Sequence, residues 1–144
     1  MITLALSKGR ILKQTLPMLE AIGITAKDDP FTSRKLIFQT SRDDIQFMVI
    51  RATDVPTYVQ FGAADMGIVG KDGLMEHGGE GMSELLDLRI SQCRLMTAVP
   101  ASPSEELKLA QSHTSKRLRV ASKYVNLAQQ YYQSQGIQLS LIHI

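Results

Sequence analysis

The chain has 144 residues, 44% of them hydrophobic and 21% charged, with 16 basic and 14 acidic side chains that give a net charge of +2. This composition is that of an ordinary folded domain, and it excludes a nucleic-acid footprint, an intrachain disulfide framework on one cysteine, and a zinc site on three scattered histidines. Because no apolar run approaches about 20 residues and the start of the chain lacks a signal-peptide pattern, we expect a cytoplasmic protein with neither a nucleic acid nor a membrane as partner.

Strands and helices alternate from the first residues onward. An apolar run over residues 2–6 predicts a buried strand, and apolar positions at helical spacing from Arg10 predict a helix that closes at Gly23. The elements predicted next are a loop over 27–33, strands over 36–38 and 47–50, a helix from an N-cap at Thr53 or Asp54 to Gly62, a strand over 66–69, a short helix from Gly70 to His77, and strands over 84–88 and 94–98.

Residues 99–117 are the longest stretch without periodicity and are rich in Pro, Ser and Lys. Such a loop is uncommon inside a compact domain, so we place a lobe boundary just before it. A strand over 118–121, a helix over 123–135 capped by Gly136 and a strand over 137–144 follow. The alternation predicts an α/β fold with a mostly parallel sheet.

Ligands of open parallel sheets bind beyond the carboxyl ends of strands, next to helix N-termini. Ser7-Lys8-Gly9-Arg10 places two cations at a helix start, where the helix dipole favours anions, and an anionic ligand would resolve that conflict. A solvated turn is the alternative for this segment. For Ser33-Arg34-Lys35 the alternative is a solvated sheet edge, and for Arg51-Ala52-Thr53-Asp54 it is an Arg51–Asp54 ion pair that only shapes the turn.

A fourth segment, Gly67-Ile68-Val69-Gly70-Lys71-Asp72, has glycines too close together for a Walker A loop, and Asp72 stands where that loop needs Ser or Thr. We interpret Asp72 as a helix cap whose carboxylate could accept hydrogen bonds from an exocyclic amine. Cys93 is interpreted as core and not as a nucleophile, because no histidine lies at an interpretable spacing. The pattern as a whole predicts cationic strand ends suited to a phosphorylated ligand.

Several segments, in order along residues 2 to about 137, resemble the catalytic subunit of the ATP phosphoribosyltransferase family. They are residues 4–12, 33–38, 51–59, 62–72, 86–88, 92–95 and 119–127. The Ser7-Lys8-Gly9-Arg10 and Arg51-Ala52-Thr53-Asp54-Val55-Pro56 strings resemble the short form of the family, which lacks a C-terminal regulatory domain and works with a subunit resembling histidyl-tRNA synthetase.

The resemblance implies a two-lobe α/β fold like that of the type II periplasmic binding proteins, with a first lobe over 1–93 and the start of a second over 94–144. No segment matches the family's Asp-x-x-x-[Ser/Thr]-Gly-x-Thr loop, which cradles the 5-phosphate of phosphoribosyl pyrophosphate, and residues 139–144 match the family's continuation poorly. We therefore expect an incomplete second lobe, a truncated gene product, and a chain that is inactive by itself.

The resemblance also implies a glycosyltransferase reaction, the first step of histidine biosynthesis, in which N1 of ATP attacks C1 of phosphoribosyl pyrophosphate and pyrophosphate leaves. It implies a requirement for Mg²⁺ with the phosphorylated substrates, and a homodimer of catalytic subunits within a hetero-octamer. Arg10 and Arg34 match catalytic positions that stabilise the leaving pyrophosphate. The residues expected to bind substrate are Lys8, Gly9, Lys35, Arg51, Asp72 and Cys93.

Two readings without catalysis stay open. The same two-lobe fold serves non-catalytic small-molecule binding modules, and a catalytically dead remnant could still associate with a regulatory partner.

Overall fold

A computed structural model describes residues 1–99, 101 and 118–144 of the chain. The described residues form two units, Met1–Cys93 and Arg94–Ile144. The interpretation of these units as lobes around one active site stays a prediction. Most of the loop predicted over 99–117 lies outside the described residues.

The first unit is built on a sheet whose central strand is the apolar run at the start of the chain. Its strands are β1 (Ile2–Ser7), β2 (Ile37–Gln39), β3 (Ile45–Ile50) and β4 (Met66–Ile68), in the spatial order β2-β3-β1-β4. β1 is parallel to both β3 and β4, whereas β2 is antiparallel to β3. The predicted mostly parallel α/β sheet is confirmed.

Helices cover both faces of this sheet, because side chains alternate between the faces along β1. Leu4 and Leu6 pack in one apolar cluster with Leu12 of α1 (Arg10–Ala21). Ala5 packs in a second cluster, on the opposite face, with Val55 of α2 (Val55–Gln60). The third helix, α3 (Lys71–His77), contacts α2.

These helices begin and end close to the proline and glycine residues that the sequence predicts as their termini. Pro56 lies in the first turn of α2, where its missing N–H leaves no intrahelical bond unmade. Gly78 ends α3 with a φ of 93°, a left-handed conformation that favours glycine. The predicted helices over the first unit are therefore confirmed, with bounds that differ by one or two residues.

The described residues of the second unit form one β-α-β motif. β5 (Leu118–Ser122) and β6 (Leu139–His143) pair in parallel, and α4 (Val125–Ser134) connects them. Tyr132 of α4 is buried, and its carbonyl oxygen accepts the N–H of Ile137 where the chain returns to the sheet. The three elements predicted for this region are confirmed.

The strands predicted over 84–88 and 94–98 are wrong. A strand exists only with a neighbour to receive its backbone hydrogen bonds, and within the described residues no strand pairs with either run. Arg89 and Ser91 also have positive φ angles of 55° and 49°, which interrupt an extended chain. Leu85 and Leu86 consequently stay exposed in spite of their apolar pattern.

Cys93, interpreted from the sequence as a core residue, is exposed, and that interpretation is wrong. The sequence predicts a core position because Cys93 directly precedes the apolar run over 94–98, which would be a strand. Without that strand the residue has no sheet in which to be buried.

Candidate functional site

The carboxyl ends of β1, β3 and β4 meet at one edge of the first unit's sheet, which we call the carboxyl edge. Ser7, the last residue of β1, is in register with Ile50, the last residue of β3. The Lys8 N–H donates a further bond of 2.9 Å to the Ile50 carbonyl oxygen. On the other side of β1, Leu6 is in register with Ile68 of β4. The residues that follow each strand are thereby gathered: Lys8 to Arg10, Arg51 to Asp54, and Gly70 to Asp72.

The antiparallel direction of β2 brings a fourth segment to the carboxyl edge. Ile37 is in register with Met48, and the Val49 N–H donates a 2.8 Å bond to the Leu36 carbonyl oxygen. β2 therefore begins where β3 ends. Ser33-Arg34-Lys35, which enters β2, lies at the same edge as Arg51. A parallel β2 would have placed this segment at the opposite edge.

The carboxyl edge contains a topological switch point. The connection after β1 leads to the β3 side, whereas the connection after β3 returns across β1 to β4. α1 and α2 accordingly lie on opposite faces, and a switch point of this kind is the usual ligand position in such sheets. Gly70 follows β4 at this edge, and a Cβ atom there would lie 3.7 Å from Ile11 Cδ1 of α1.

Four cations at this edge, Lys8, Arg10, Arg34 and Arg51, are exposed. Within residues 1–99, 101 and 118–144, no ion pair involves Lys8, Arg10, Arg34 or Arg51. Lys35 pairs instead with Asp28 at 2.5 Å, and Lys71 pairs with Glu84. Because like charges repel, a group of unpaired cations is stabilised by an anion among them.

The Arg51–Asp54 ion pair offered as an alternative for the third segment does not form. The turn is held by its backbone, since the Asp54 N–H donates a 3.0 Å bond to the Arg51 carbonyl oxygen. The Asp54 carboxylate accepts a 3.2 Å bond from the Thr53 hydroxyl. The Arg51 guanidinium is thus left exposed at the carboxyl edge.

Asp72 lies in the first turn of α3, where its carboxylate accepts a 2.9 Å bond from the Gly73 N–H. Its position in the first turn is as predicted, but Gly70 and not Asp72 is the N-cap residue, so the interpretation of Asp72 as a helix cap is wrong. Its contact with a ligand amine stays a prediction, as do the substrate roles of Lys8, Gly9, Lys35, Arg51 and Cys93 and the catalytic roles of Arg10 and Arg34.

Sequence reasoning missed two features of the edge. Ser7 is fully buried, and its hydroxyl has no hydrogen-bond partner in the described part of the chain. Lys71 was read only as part of a rejected phosphate loop, although it is a cation at the carboxyl edge. Because side chains alternate along a strand, the sequence is sufficient to predict that Ser7 lies on the same face of the sheet as Ala5. No local sequence pattern predicts that Lys71 pairs with Glu84.

In the described ranges no group of three or more His, Cys, Asp or Glu side chains could hold a metal ion. None of the described helices is long and apolar enough to cross a membrane.

Comparison with known proteins gives concordant matches. The family model "HisG: ATP phosphoribosyltransferase" matches residues 51–144. The ATP phosphoribosyltransferase of Alcanivorax borkumensis is 55% identical over 99% of this chain and 63% of its own length. That of Ectopseudomonas mendocina is 52% identical over 100% of this chain and 64% of its own length. The chain thus spans less than two thirds of the length of these relatives.

A solved structure has a similar fold. The ATP phosphoribosyl transferase (HisG:HisZ) complex from Thermotoga maritima matches with a TM-score of 0.68 and 24% identity, over 100% of this chain and 64% of that one. At this identity the likeness concerns the fold alone, and it agrees with the mixed α/β architecture.

Proposed function

The chain belongs to the ATP phosphoribosyltransferase family, and from that premise we propose that it acts in the transfer of the phosphoribosyl group from phosphoribosyl pyrophosphate to N1 of ATP. This reaction forms phosphoribosyl-ATP and pyrophosphate and is the first step of histidine biosynthesis. One observation carries the proposal. Lys8, Arg10, Arg34 and Arg51 follow or precede strands at the same edge of the sheet, where its switch point lies, and within the described residues none of them has a carboxylate partner.

The chemistry requires charge stabilisation. As N1 of the adenine forms its bond to C1, the bond from C1 to the pyrophosphate oxygen breaks, and negative charge grows on the leaving group. We assign Arg10 and Arg34 to that charge, because guanidinium groups stay ionised and donate two parallel hydrogen bonds to phosphate oxygens. Donors positioned before the reaction stabilise the transition state more than the bound substrate. Adenine N1 is already nucleophilic, so no general base is assigned.

The other predicted binding residues fit supporting roles at the same edge. Gly9 has a φ of 95° and turns the chain from β1 into α1, so the free N–H groups of the first turn of α1 face the edge. Lys8 and Arg51 add positive charge on either side of the β1–β3 junction. Lys35 can bind a phosphate group that displaces the carboxylate of Asp28, its ion-pair partner. Asp72 and Cys93 are assigned to the nucleotide with less direct support.

Mg²⁺ is proposed to enter with the phosphorylated substrates. Without a group of three ligating side chains in the described ranges, these residues do not form a protein-made cage for the ion. Magnesium is commonly bound through substrate phosphates and water with few protein ligands. No step assigned to the residues above depends on it.

The larger assembly is proposed by analogy. The solved neighbour is a HisG:HisZ complex, which supports a regulatory subunit as a partner for this chain. We propose that this subunit resembles histidyl-tRNA synthetase, that catalytic subunits pair as homodimers within a hetero-octamer, and that the assembly is cytoplasmic. The units Met1–Cys93 and Arg94–Ile144 would be lobes of a type II periplasmic-binding-protein-like fold. Residues 1–144 alone are then expected to bind anions without turnover.

A non-catalytic module that binds a neutral small molecule is the competing function. It has no use for four unpaired cations, whose mutual repulsion a neutral ligand would leave in place. A remnant that only associates with a regulatory subunit would form that complex without recovering turnover.

Calorimetric titration of the 144-residue chain tests the proposal. We expect binding of pyrophosphate, ATP and phosphoribosyl pyrophosphate, and no binding of neutral amino acids or sugars. Arg10→Ala should weaken pyrophosphate binding about tenfold, which is about 1.4 kcal/mol. Lys27→Ala is the control for a cation away from the site: Lys27, whose ammonium group lies 3.6 Å from the exposed Asp43 carboxylate, is beside Gln39 at the opposite edge of the sheet. Equal losses in the two variants, or binding of a neutral solute alone, would contradict the proposal.

A further inference from the structure

The segment after α3, residues 79–93, has no regular secondary structure and forms hydrogen bonds with α2 and α1. Near its start, the Gln60 Nε2 donates a 3.1 Å bond to the Glu80 carbonyl oxygen. Near its end, the Ser91 hydroxyl donates a 2.6 Å bond to Gln14 Oε1 of α1. Between these anchors its strongest charged contact is the Lys71–Glu84 ion pair, which ties the segment to the first residue of α3.

Lys71 lies at the carboxyl edge, the region to which the proposed function assigns phosphate binding. It follows β4, which is in register with β1, so it shares the carboxyl edge with Lys8 and Arg10. Unlike Lys8 and Arg10, Lys71 forms an ion pair with an acidic side chain of the same unit, that of Glu84. The Lys71 and Glu84 side chains are 59% and 48% exposed, so water and dissolved anions reach the pair.

We propose that Lys71 is a phosphate-binding residue of the carboxyl edge and that Glu84 is its intramolecular competitor. In the absence of ligand the Glu84 carboxylate is paired with the Lys71 ammonium group. An incoming phosphate group, which carries more charge and joins several cations at once, displaces it and releases the 79–93 segment from α3. The proposal rests on the anion-binding part of the proposed function and adds a residue and a conformational consequence to it.

Physical considerations favour displacement over a permanent structural bridge. An exposed ion pair contributes little to stability, so its exchange for another anion costs little. The segment has few other bonds to hold it between the pair and Ser91: the Arg89 N–H bonds to Asp87 Oδ1 at 2.8 Å, within the segment itself. Leu85 and Leu86 are 79% and 74% exposed, and Leu88 and Ile90 are only partly buried, so little apolar contact resists the release.

Lys35 provides a useful contrast. Its partner Asp28 is seven residues away in the same loop, so exchange of that carboxylate for a phosphate would leave other elements where they are. Glu84, in contrast, is 13 residues from Lys71 and lies in a segment that reaches α1. Only the second exchange transmits ligand binding along the chain.

Titration with inorganic pyrophosphate at low salt tests the competition. Glu84→Gln should tighten binding about two- to fivefold, because the ligand no longer displaces a carboxylate. Glu80→Gln is the matched control: it removes the same charge from the same segment, and the Glu80 carboxylate has no ion pair within the described residues. Lys71→Met should weaken binding and abolish the effect of Glu84→Gln in the double variant.

Tryptic cleavage after Arg89, followed by mass spectrometry, tests the release. Wild type with saturating pyrophosphate, and Glu84→Gln without ligand, should both be cleaved faster than free wild type, whereas Glu80→Gln should not. Binding that is equally tight in Glu84→Gln and Glu80→Gln would overturn the competition and leave the proposed function standing. Unchanged cleavage would overturn the release. Failure of every variant to bind pyrophosphate would contradict both this inference and the proposed function.

Discussion

The Lys8 N–H donates a 2.9 Å hydrogen bond to the carbonyl oxygen of Ile50, which extends the β1–β3 ladder one residue past the last strand pair. The bond holds the start of the Lys8-Gly9-Arg10 turn against the end of β3. Arg51 follows Ile50 directly, so cations from two distant parts of the sequence share one edge because of a backbone contact.

Arg34 and Arg51 should therefore act on the same ligand. Continuing the antiparallel register of β2 and β3 past Leu36 and Val49 places the two residues across from each other. We expect Arg34→Ala and Arg51→Ala each to weaken pyrophosphate binding roughly tenfold by calorimetry. The double variant should lose less than the product of the two losses if both guanidiniums contact one phosphate group. Fully independent effects would place the two residues on separate ligand groups.

Gly67 of β4 should not tolerate a side chain. A Cβ atom there would lie 2.6 Å from Val55 Cγ1 and 3.0 Å from Val59 Cγ2, so α2 would have to move away from the sheet. We expect Gly67→Ala to lower the free energy of unfolding by about 1–3 kcal/mol in urea denaturation. Val55→Ala in the same chain should recover part of this loss.

Gly73 of α3 is the matched control, because a Cβ atom there would meet Val69 Cγ2 at an ordinary 3.5 Å. Gly73→Ala should stabilise the chain by about 0.5–1 kcal/mol through helix propensity. A similar loss in both alanine variants would mean that glycine at position 67 is not there for packing.

Thr15 and Thr40 should respond oppositely to the same substitution. Both are buried, but the Thr15 hydroxyl has no partner in the described part of the chain, whereas the Thr40 hydroxyl lies 2.8 Å from the Ile45 carbonyl oxygen and accepts the Arg42 N–H. We expect Thr15→Val to raise the free energy of unfolding by about 1 kcal/mol and Thr40→Val to lower it by about 1–3 kcal/mol. Thermal and urea denaturation would measure both. Destabilisation by Thr15→Val would show that its hydroxyl is satisfied in solution.

Asp44 gives the first unit an acid-sensitive contact. The Arg42 guanidinium donates hydrogen bonds of 2.9 and 2.6 Å to its carboxylate, and this hydrogen bonding holds the pKa of Asp44 below its usual value. A lowered pKa in the folded state stabilises the fold above the unfolded-state pKa, near 3.8, and that stabilisation is lost as the pH falls through the folded-state value.

The difference in unfolding free energy between wild type and Asp44→Asn should accordingly be small but positive at pH 6 and should vanish toward pH 2. Urea denaturation across that range measures it. The pair is exposed, so added salt should diminish the difference at pH 6. A difference that persists at pH 2 would assign the effect to the amide substitution itself.

Local sequence is sufficient to predict those elements whose conformation depends on residues close together in the chain. The apolar stripe from Ile11 to Leu19 predicts α1, because only a helix gathers positions at that spacing on one face. Gly78 and Gly136, with φ angles of 93° and 71°, stand where helices end, because glycine adopts left-handed φ at little cost. The carboxyl ends of β1, β3 and β4 could likewise be recognised as ligand positions.

The two runs over 84–88 and 94–98 have the same apolar character as true strands, and they failed as predictions because pairing is not a local property. A strand forms when another strand supplies its hydrogen bonds, and the described residues supply none to these runs. The exposure of Cys93 follows from the same cause.

The sequence by itself determined the helices, their ends, the alternation of faces along β1 and the cationic character of the strand ends, because each depends on residues close together in the chain. Only the tertiary structure decided that β2 runs antiparallel to β3, that Arg34 thereby joins Arg10 and Arg51, and that Lys71 pairs with Glu84. These relationships depend on strand direction and on contacts between distant segments. Such contacts form only when the whole chain has folded and distant segments are brought together, so a short window of sequence is not sufficient to predict them.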